Sequence, residues 1–271
     1  MRRMTLLLSA TLALACRTVG VADPSAVFDG RAGSWVDLTH AFGQDTIYWP
    51  TDTQGFQLDE LAYGRTEGGW FYAAYAFTTA EHGGTHLDAP IHFAEDAWTT
   101  DEIPLTSLIG PAAVVDVTAR AHPDYQVSVE DLAYWESSHG RLPDGAILLL
   151  RTGWSSRWGD RAAYLGTGAT GPEAATQLHF PGLGPEAARW LVEERRVAAV
   201  GIDTPSLDPG QSSDFRAHVI LNGANVPGFE NLTGLEALPA KGAAVVALPM
   251  KIAGGSGGPL RIVAFVPRGE P

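Results

Sequence analysis

The sequence predicts an α/β fold: a single domain with one mixed β-sheet and flanking helices. Three observations carry that prediction. Short β-branched, near-continuous apolar runs recur along the chain, stretches of helical periodicity lie between them, and no repeat or linker divides residues 34–271. Strands covered on both faces lose the alternation of a half-exposed strand, so such runs suit the middle of a sheet flanked by helices. Strands and helices alternating in chain order are the α/β pattern.

The apolar runs are 112–117, 146–150, 197–202, 243–248 and 261–266. A helix is predicted from Gly184-Pro185-Glu186, where proline suits the first turn. Ala187, Ala188, Trp190, Leu191 and Val192 supply its apolar face, and Glu193, Glu194, Arg195 and Arg196 a solvated one. A shorter helix is predicted over 128–137.

The chain has 271 residues, 45% hydrophobic and 18% charged, enough to bury a sizeable core. Its net charge of -13 and pI of about 4.9 leave no basic stripe for phosphates, which argues against nucleic acid as a partner. Residues 1–16 read as an export signal: Arg2 and Arg3 precede an apolar stretch over 6–15 that ends at Cys16, the sole cysteine. The stretch is shorter than the roughly 20 apolar residues of a membrane-spanning helix.

Leu12-Ala13-Leu14-Ala15-Cys16 resembles a lipobox, which implies a lipid anchor on Cys16; ordinary cleavage near Ala22 or Ala26 is the alternative. Either way the expected location is periplasmic, free or membrane-anchored. Residues 17–33 are small, polar and aperiodic, as a tether would be. Once 1–16 are removed no cysteine remains, so any metal must be held by histidine and carboxylate.

Those residue types crowd into Glu81-His82-Gly83-Gly84-Thr85-His86-Leu87-Asp88-Ala89-Pro90-Ile91-His92. In extended backbone, period two puts His82, His86, Asp88 and His92 on one face. In a helical segment, His82 and His86 still meet as an i, i+4 pair. Either geometry brings imidazoles and a carboxylate to one point. Such a donor set suits zinc, manganese or iron, and about three protein ligands leave a position open for water.

The segment resembles the His-x-Gly-Thr-His-x-Asp-x-Pro-x-His motif of the cyclase family of metal-dependent hydrolases. The fixed positions run from His82 to His92, and a second family feature, a histidine twelve residues before a glutamate in Glu-Asn-Leu, is similar to His218 and Glu230-Asn231-Leu232. Further similar segments are Asp37-Leu38-Thr39-His40, residues 201–208 and Leu248-Pro249-Met250-Lys251.

The resemblance implies a cyclase-like α/β fold and a homo-oligomer. It implies that His82, His86 and Asp88 bind a divalent metal, Zn²⁺ or Mn²⁺, while His218 and Glu230 complete a second site or line the first, giving one or two ions. His92 is implied as general acid/base. The implied reaction is hydrolysis of an amide-type C–N bond, in an aryl formamide, a cyclic amide or a related lactone. A carboxylate at Glu230 weighs modestly against the branch that opens isatin, where the resemblance implies glutamine.

Metal-activated water attacking a carbonyl needs no covalent nucleophile, and no nucleophile elbow is expected. The contrasting reading is a periplasmic metal-binding or solute-binding lipoprotein without catalysis, which has no use for His92. Aromatic residues gather just before the motif, at Tyr48, Trp49, Phe56, Trp70, Phe71, Tyr72, Tyr75 and Phe77. They serve either as walls for a flat substrate, with Trp49 and Trp70 as the best candidates, or as core and subunit interface. His40 and His179 lie in family-like segments near the expected pocket. Asp203, directly after an apolar run, either orients a ligand histidine or holds a turn. Residues 254–258, Gly-Gly-Ser-Gly-Gly, read as a turn near the site.

Overall fold

The computed structural model describes residues 24–268; the expected export signal, Cys16 and residues 17–23 of the expected tether lie outside them. Twelve strands are present: β1 (Gly33–Asp37), β2 (Gln57–Arg65), β3 (Phe71–Thr78), β4 (His86–Asp88), β5 (Ile109–Asp116), β6 (Gln126–Val127), β7 (Ile147–Arg151), β8 (Gly182–Leu183), β9 (Ala199–Ile202), β10 (Gly228–Glu230), β11 (Lys241–Pro249) and β12 (Gly257–Pro267). The helices are α1 (Leu105–Leu108), α2 (Val129–His139), α3 (Arg161–Leu165), α4 (Pro185–Trp190) and α5 (Arg216–Gly223).

Eight strands form one mixed sheet in the order β1-β12-β11-β5-β7-β9-β10-β4. The run β5-β7-β9-β10 is parallel and the other pairings are antiparallel. The sheet also closes on itself. β4 pairs with β10 on one edge and with the first residues of β12 on the other, so this three-residue strand has no free edge.

Period two divides the parallel strands between two cores. On β7, Leu148 and Leu150 face outward into a layer with Leu132 and Trp135 of α2, Ala187 and Ala188 of α4 and Leu221 of α5. Ile147 and Leu149 face the other way, toward Leu87, Phe229, Leu232, Val245 and Ile262 inside the ring of strands. Full burial of each such side chain contributes about 1.5–3 kcal/mol.

The five predicted strands are β5, β7, β9, β11 and β12. The predicted helix at 128–137 is α2, and Ser128 caps it through a reciprocal box with Asp131. The helix begun at Pro185 runs on from α4 into a wider turn over Leu191–Arg195, closed by Arg196 at φ 51°. Asp203 turns out to hold the chain rather than a histidine. Its buried carboxylate accepts from the Thr152 N–H at 2.8 Å, the Thr152 hydroxyl at 2.6 Å and the Gly153 N–H at 2.8 Å, tying the end of β9 to that of β7.

The β2–β3 hairpin was not foreseen. It stands apart from the main sheet with Leu58, Leu61, Tyr63, Trp70, Phe71, Tyr72, Tyr75 and Phe77 exposed.

Candidate metal centre

The site is assembled by strand register. His86 and Asp88 are two apart on β4 and share a face. In the antiparallel β4–β10 pair Glu230 stands directly opposite His86, which brings the Glu230 Oε2 to 3.5 Å from His86 Nε2. His82 precedes β4 by a tight double-glycine turn. Gly84 adopts φ 58°, and a Cβ on Gly83 would lie 2.0 Å from the Tyr48 ring, so this turn requires glycine at both positions. His218 comes from the first turn of α5.

Asp88 is the hub of this arrangement. Its Oδ1 lies 2.6 Å from His82 Nδ1 and 3.2 Å from His86 Nε2, and its Oδ2 lies 3.0 Å from His218 Nε2. Glu230 Oε1 is 3.1 Å from the same His218 nitrogen. Two overlapping sets result, His82/His86/Asp88 and Asp88/His218/Glu230, each with its donor atoms within 4.8 Å of one another. Imidazole nitrogens and carboxylate oxygens converging at that spacing could hold a metal ion.

Each ligand imidazole is held from behind. His86 Nδ1 is 3.0 Å from the Gly84 carbonyl, which also accepts from the Asn231 amide at 2.7 Å. His218 Nδ1 is 2.6 Å from Asp208, whose carboxylate also accepts from the Ala217 and His218 N–H groups at the start of α5. His82 Nε2 is 3.0 Å from the Ser256 hydroxyl. Such partners fix ring orientation and tautomer and leave the opposite nitrogen facing the ion.

Electrostatics follow from crowding charges in a buried space. Burial opposes ionisation of Asp88, but His86, His218 and His82 outweigh it and hold the carboxyl well below its usual range. Burial and the Asp88 charge push Glu230 up. Burial disfavours a charged His86, yet Asp88 and Glu230 raise it to about 9. His218 is raised against burial by Asp208, Asp88 and Glu230. His92 goes the other way: burial lowers it to about 4, so its ring is neutral at neutral pH.

A cavity of about 340 Å³ opens over these groups. His82, His86, Asp88, His92, His218 and Glu230 all line it, together with Trp49, Phe93 and Phe215. His92 follows β4 on a short turn and stacks on His82, ring centroids 3.8 Å apart. Among the described residues its side chain makes no hydrogen bond or ion pair.

The profile of the Cyclase family matches residues 36–209. The chain belongs to the cyclase family. Isatin hydrolase of Roseibium aggregatum is 33% identical over 250 residues, covering 86% of this chain and 92% of that protein. Kynurenine formamidase of Salinibacter ruber is 29% identical over 235 residues, covering 84% and 95%. The crystal structure of an isatin hydrolase bound to the product analogue thioisatinate superposes with a TM-score of 0.80 at 31% identity, covering 90% and 96%. Whole-chain identity thus runs toward the isatin-opening relative, opposite to the weight placed on Glu230.

Trp49 lines the cavity, whereas Trp70 does not. It sits 63% exposed in the turn between β2 and β3, outside the cavity lining. His40 stacks on Trp158 with centroids 4.0 Å apart, and His179 pairs with Asp124 on the surface; neither lines the cavity. Sequence reasoning assigned no role to Asp208, Asn231, Ser256 or Glu81. Residues 254–258 also spell Gly-x-Ser-x-Gly, against expectation, but they lead into strand β12 and not from a strand into a helix as an elbow would.

Because Asp88 belongs to both ligand sets, Asp88→Ala is expected to abolish metal binding, measured as metal per chain by mass spectrometry of the purified protein. Glu230→Ala is expected to lose one of two ions, or to weaken a single ion at least tenfold; unchanged metal content would remove Glu230 from the ligand set.

Proposed function

We propose that this chain is a metal-dependent amidohydrolase that uses activated water to open the C–N bond of an aryl formamide or a cyclic amide. The observation that carries this reading is the shared-carboxylate ligand set at the base of an aromatic-walled cavity, with a neutral, unpartnered imidazole beside it. His82, His86 and Asp88 would hold one ion, and His218 and Glu230 a second or the same one. When bound, a divalent ion lowers the pKa of a coordinated water from about 15.7 toward 7 and polarises a carbonyl oxygen.

The protein's own groups supply the rest. His92 is placed to take a proton from water and return it to the leaving nitrogen. Phe93 lies 4.6 Å from His218, Phe215 lies 5.2 Å from Phe93, and Trp49 lies 6.3 Å from Phe215. This aromatic wall suits a flat substrate whose carbonyl points at the ligands. The names of the two relatives, isatin hydrolase and kynurenine formamidase, support the choice of cyclic and linear amides.

A second reading has its own observation. Ser256, His82 and Asp88 are linked at 3.0 and 2.6 Å in the order of a serine-hydrolase triad. Ser256 does not line the cavity, and its hydroxyl lies closer to Glu81, at 2.6 Å, than to His82. Both facts favour the metal reading.

The test is turnover of N-formylkynurenine, isatin and simple aryl amides by chelated protein, with zinc or manganese then added back. Metal-restored hydrolysis of at least one is expected; turnover that survives chelation would overturn the reading. On the same panel His92→Ala is expected to lower kcat by roughly 10²–10⁴ while keeping its metal, the range for a lost general acid/base.

The assembly and location proposed from sequence complete this reading. We propose that the β2–β3 hairpin packs on a second copy of the chain. A two-stranded hairpin is marginal alone in water, and one with large apolar side chains exposed along both strands is suited to burial. Light scattering is expected to give a homo-oligomer that Phe71→Glu with Tyr75→Lys dissociates; a monomeric wild type would exclude it. Among the described residues no helix is long and apolar enough to cross a membrane. Export with a lipid on Cys16 predicts a mature chain beginning at an acylated Cys16, read by intact mass. An unmodified N-terminus near Ala22 or Ala26 would indicate free export instead.

A further inference from the structure

The loop over 254–258 has a purpose that composition does not reveal. Its backbone runs hard against the metal centre. A Cβ on Gly257 would lie 2.6 Å from both His82 Cε1 and the Leu87 carbonyl oxygen, so that position requires glycine. The loop is also pinned. Thr100 is 3% exposed; its hydroxyl reaches the carbonyls of Gly255 and Gly257 at 3.0 and 3.1 Å, and its N–H donates to that of Gly255 at 2.9 Å. The Ala89 N–H donates to the Ser256 carbonyl at 2.9 Å. Ser256 is therefore held in place behind His82.

Glu81 completes the arrangement. Its Oε2 accepts from the Ser256 N–H at 3.1 Å and lies 2.6 Å from the Ser256 hydroxyl. A serine hydroxyl has one proton to give. With that proton directed at a carboxylate, which can only accept, the hydroxyl oxygen is left to accept from His82 Nε2 at 3.0 Å. The chain Glu81···Ser256···His82 thus has a direction. It requires a proton of His82 on Nε2, so the nitrogen that can exchange its proton for an ion is Nδ1, which donates to Asp88 at 2.6 Å.

We propose that Ser256 and Glu81 act in series as positioning residues that keep a proton on His82 Nε2, so that Nδ1 is the nitrogen that gives up its proton and binds the ion. The inference rests on the metal-centre reading above. It assigns the third ligand histidine a rear partner of the same kind that Gly84 provides for His86 and Asp208 for His218. Without Glu81 the Ser256 hydroxyl is free to turn and donate to Nε2. Nε2 then carries no proton, and the one on Nδ1 becomes the ring's last, which is far harder to displace by an ion. Partners of this kind alter metal affinity by about 10–100-fold when removed.

The experiment measures zinc affinity of the full chain by competition with a chromophoric chelator, for Ser256→Ala, Ser256→Thr, Glu81→Ala and the Ser256→Ala/Glu81→Ala pair. Ser256→Ala and Glu81→Ala are expected to bind zinc roughly 10–100-fold more weakly. Ser256→Thr, which keeps the hydroxyl, is expected to stay near wild type. Because the two groups act in series, the double variant is expected to be no weaker than Ser256→Ala alone.

A second readout needs no metal. Imidazole ¹⁵N NMR of the metal-free protein is expected to show a proton on His82 Nε2 in wild type and its loss from Nε2 in Glu81→Ala. Wild-type zinc affinity in both single variants overturns the proposal, as does additivity in the double variant. Loss of turnover in Ser256→Ala at unchanged zinc affinity overturns it in favour of a serine nucleophile. A wild type that binds no zinc would instead count against the metal-centre reading, and the tautomer measurement would still decide the role of Ser256 and Glu81.

Discussion

Asp88 is a carboxylate with 1% of its surface exposed, and the site is organised around keeping it ionised there. An isolated buried carboxylate is expensive enough that it would ordinarily take up a proton. Three imidazoles at 2.6, 3.2 and 3.0 Å keep it charged, and they come from three separate places in the chain. The turn before β4, β4 itself and α5 must all be in register for that to happen. A divalent ion bound in this space would meet groups already facing one another. Glu230 and Asp88, two carboxylates in one buried pocket, also repel each other, which a cation between them would relieve.

How much of this was legible in the sequence depended on which way a residue faces. β5, β7 and β9 were readable because apolar cover on both faces makes a continuous hydrophobic run. β4 and β10 were not, since His-Leu-Asp turns two of its three side chains toward the site, Gly-Phe-Glu turns its glutamate there, and neither carries a strand signature. The motif from His82 to His92 nonetheless named the ligand candidates, because metal chemistry restricts residue types more tightly than strand geometry does. Their supports were opaque. Asp208 and Ser256 reach their histidines from 10 and 174 positions away along the chain, and nothing local to either marks the pairing. Trp70 was misjudged for a related reason: an aromatic cluster signals burial, but not which surface will do the burying.

The family profile ends at residue 209, before His218, Glu230 and Ser256. The portion it covers holds His82, His86 and Asp88, which form one ligand set alone. The remainder adds His218 and Glu230, which join Asp88 in the second candidate set, and Ser256, hydrogen-bonded to His82. Aromatic side chains from both portions, Trp49 and Phe93 from one and Phe215 from the other, wall the same cavity.

The double pairing of β4 has a consequence for the order in which the molecule is made. Both partners of this strand, β10 and β12, are synthesised well over a hundred residues after it. Contacts of such long range form late, because loop closure must be complete before they contribute. A chain still emerging from the ribosome carries the His82–His92 segment with neither flanking strand to receive it. The finished centre therefore belongs only to the completed chain. A truncation that removes β12 would disable ligands it does not contain, and loading with metal becomes a late event, coupled to closure of the ring and not to appearance of the motif.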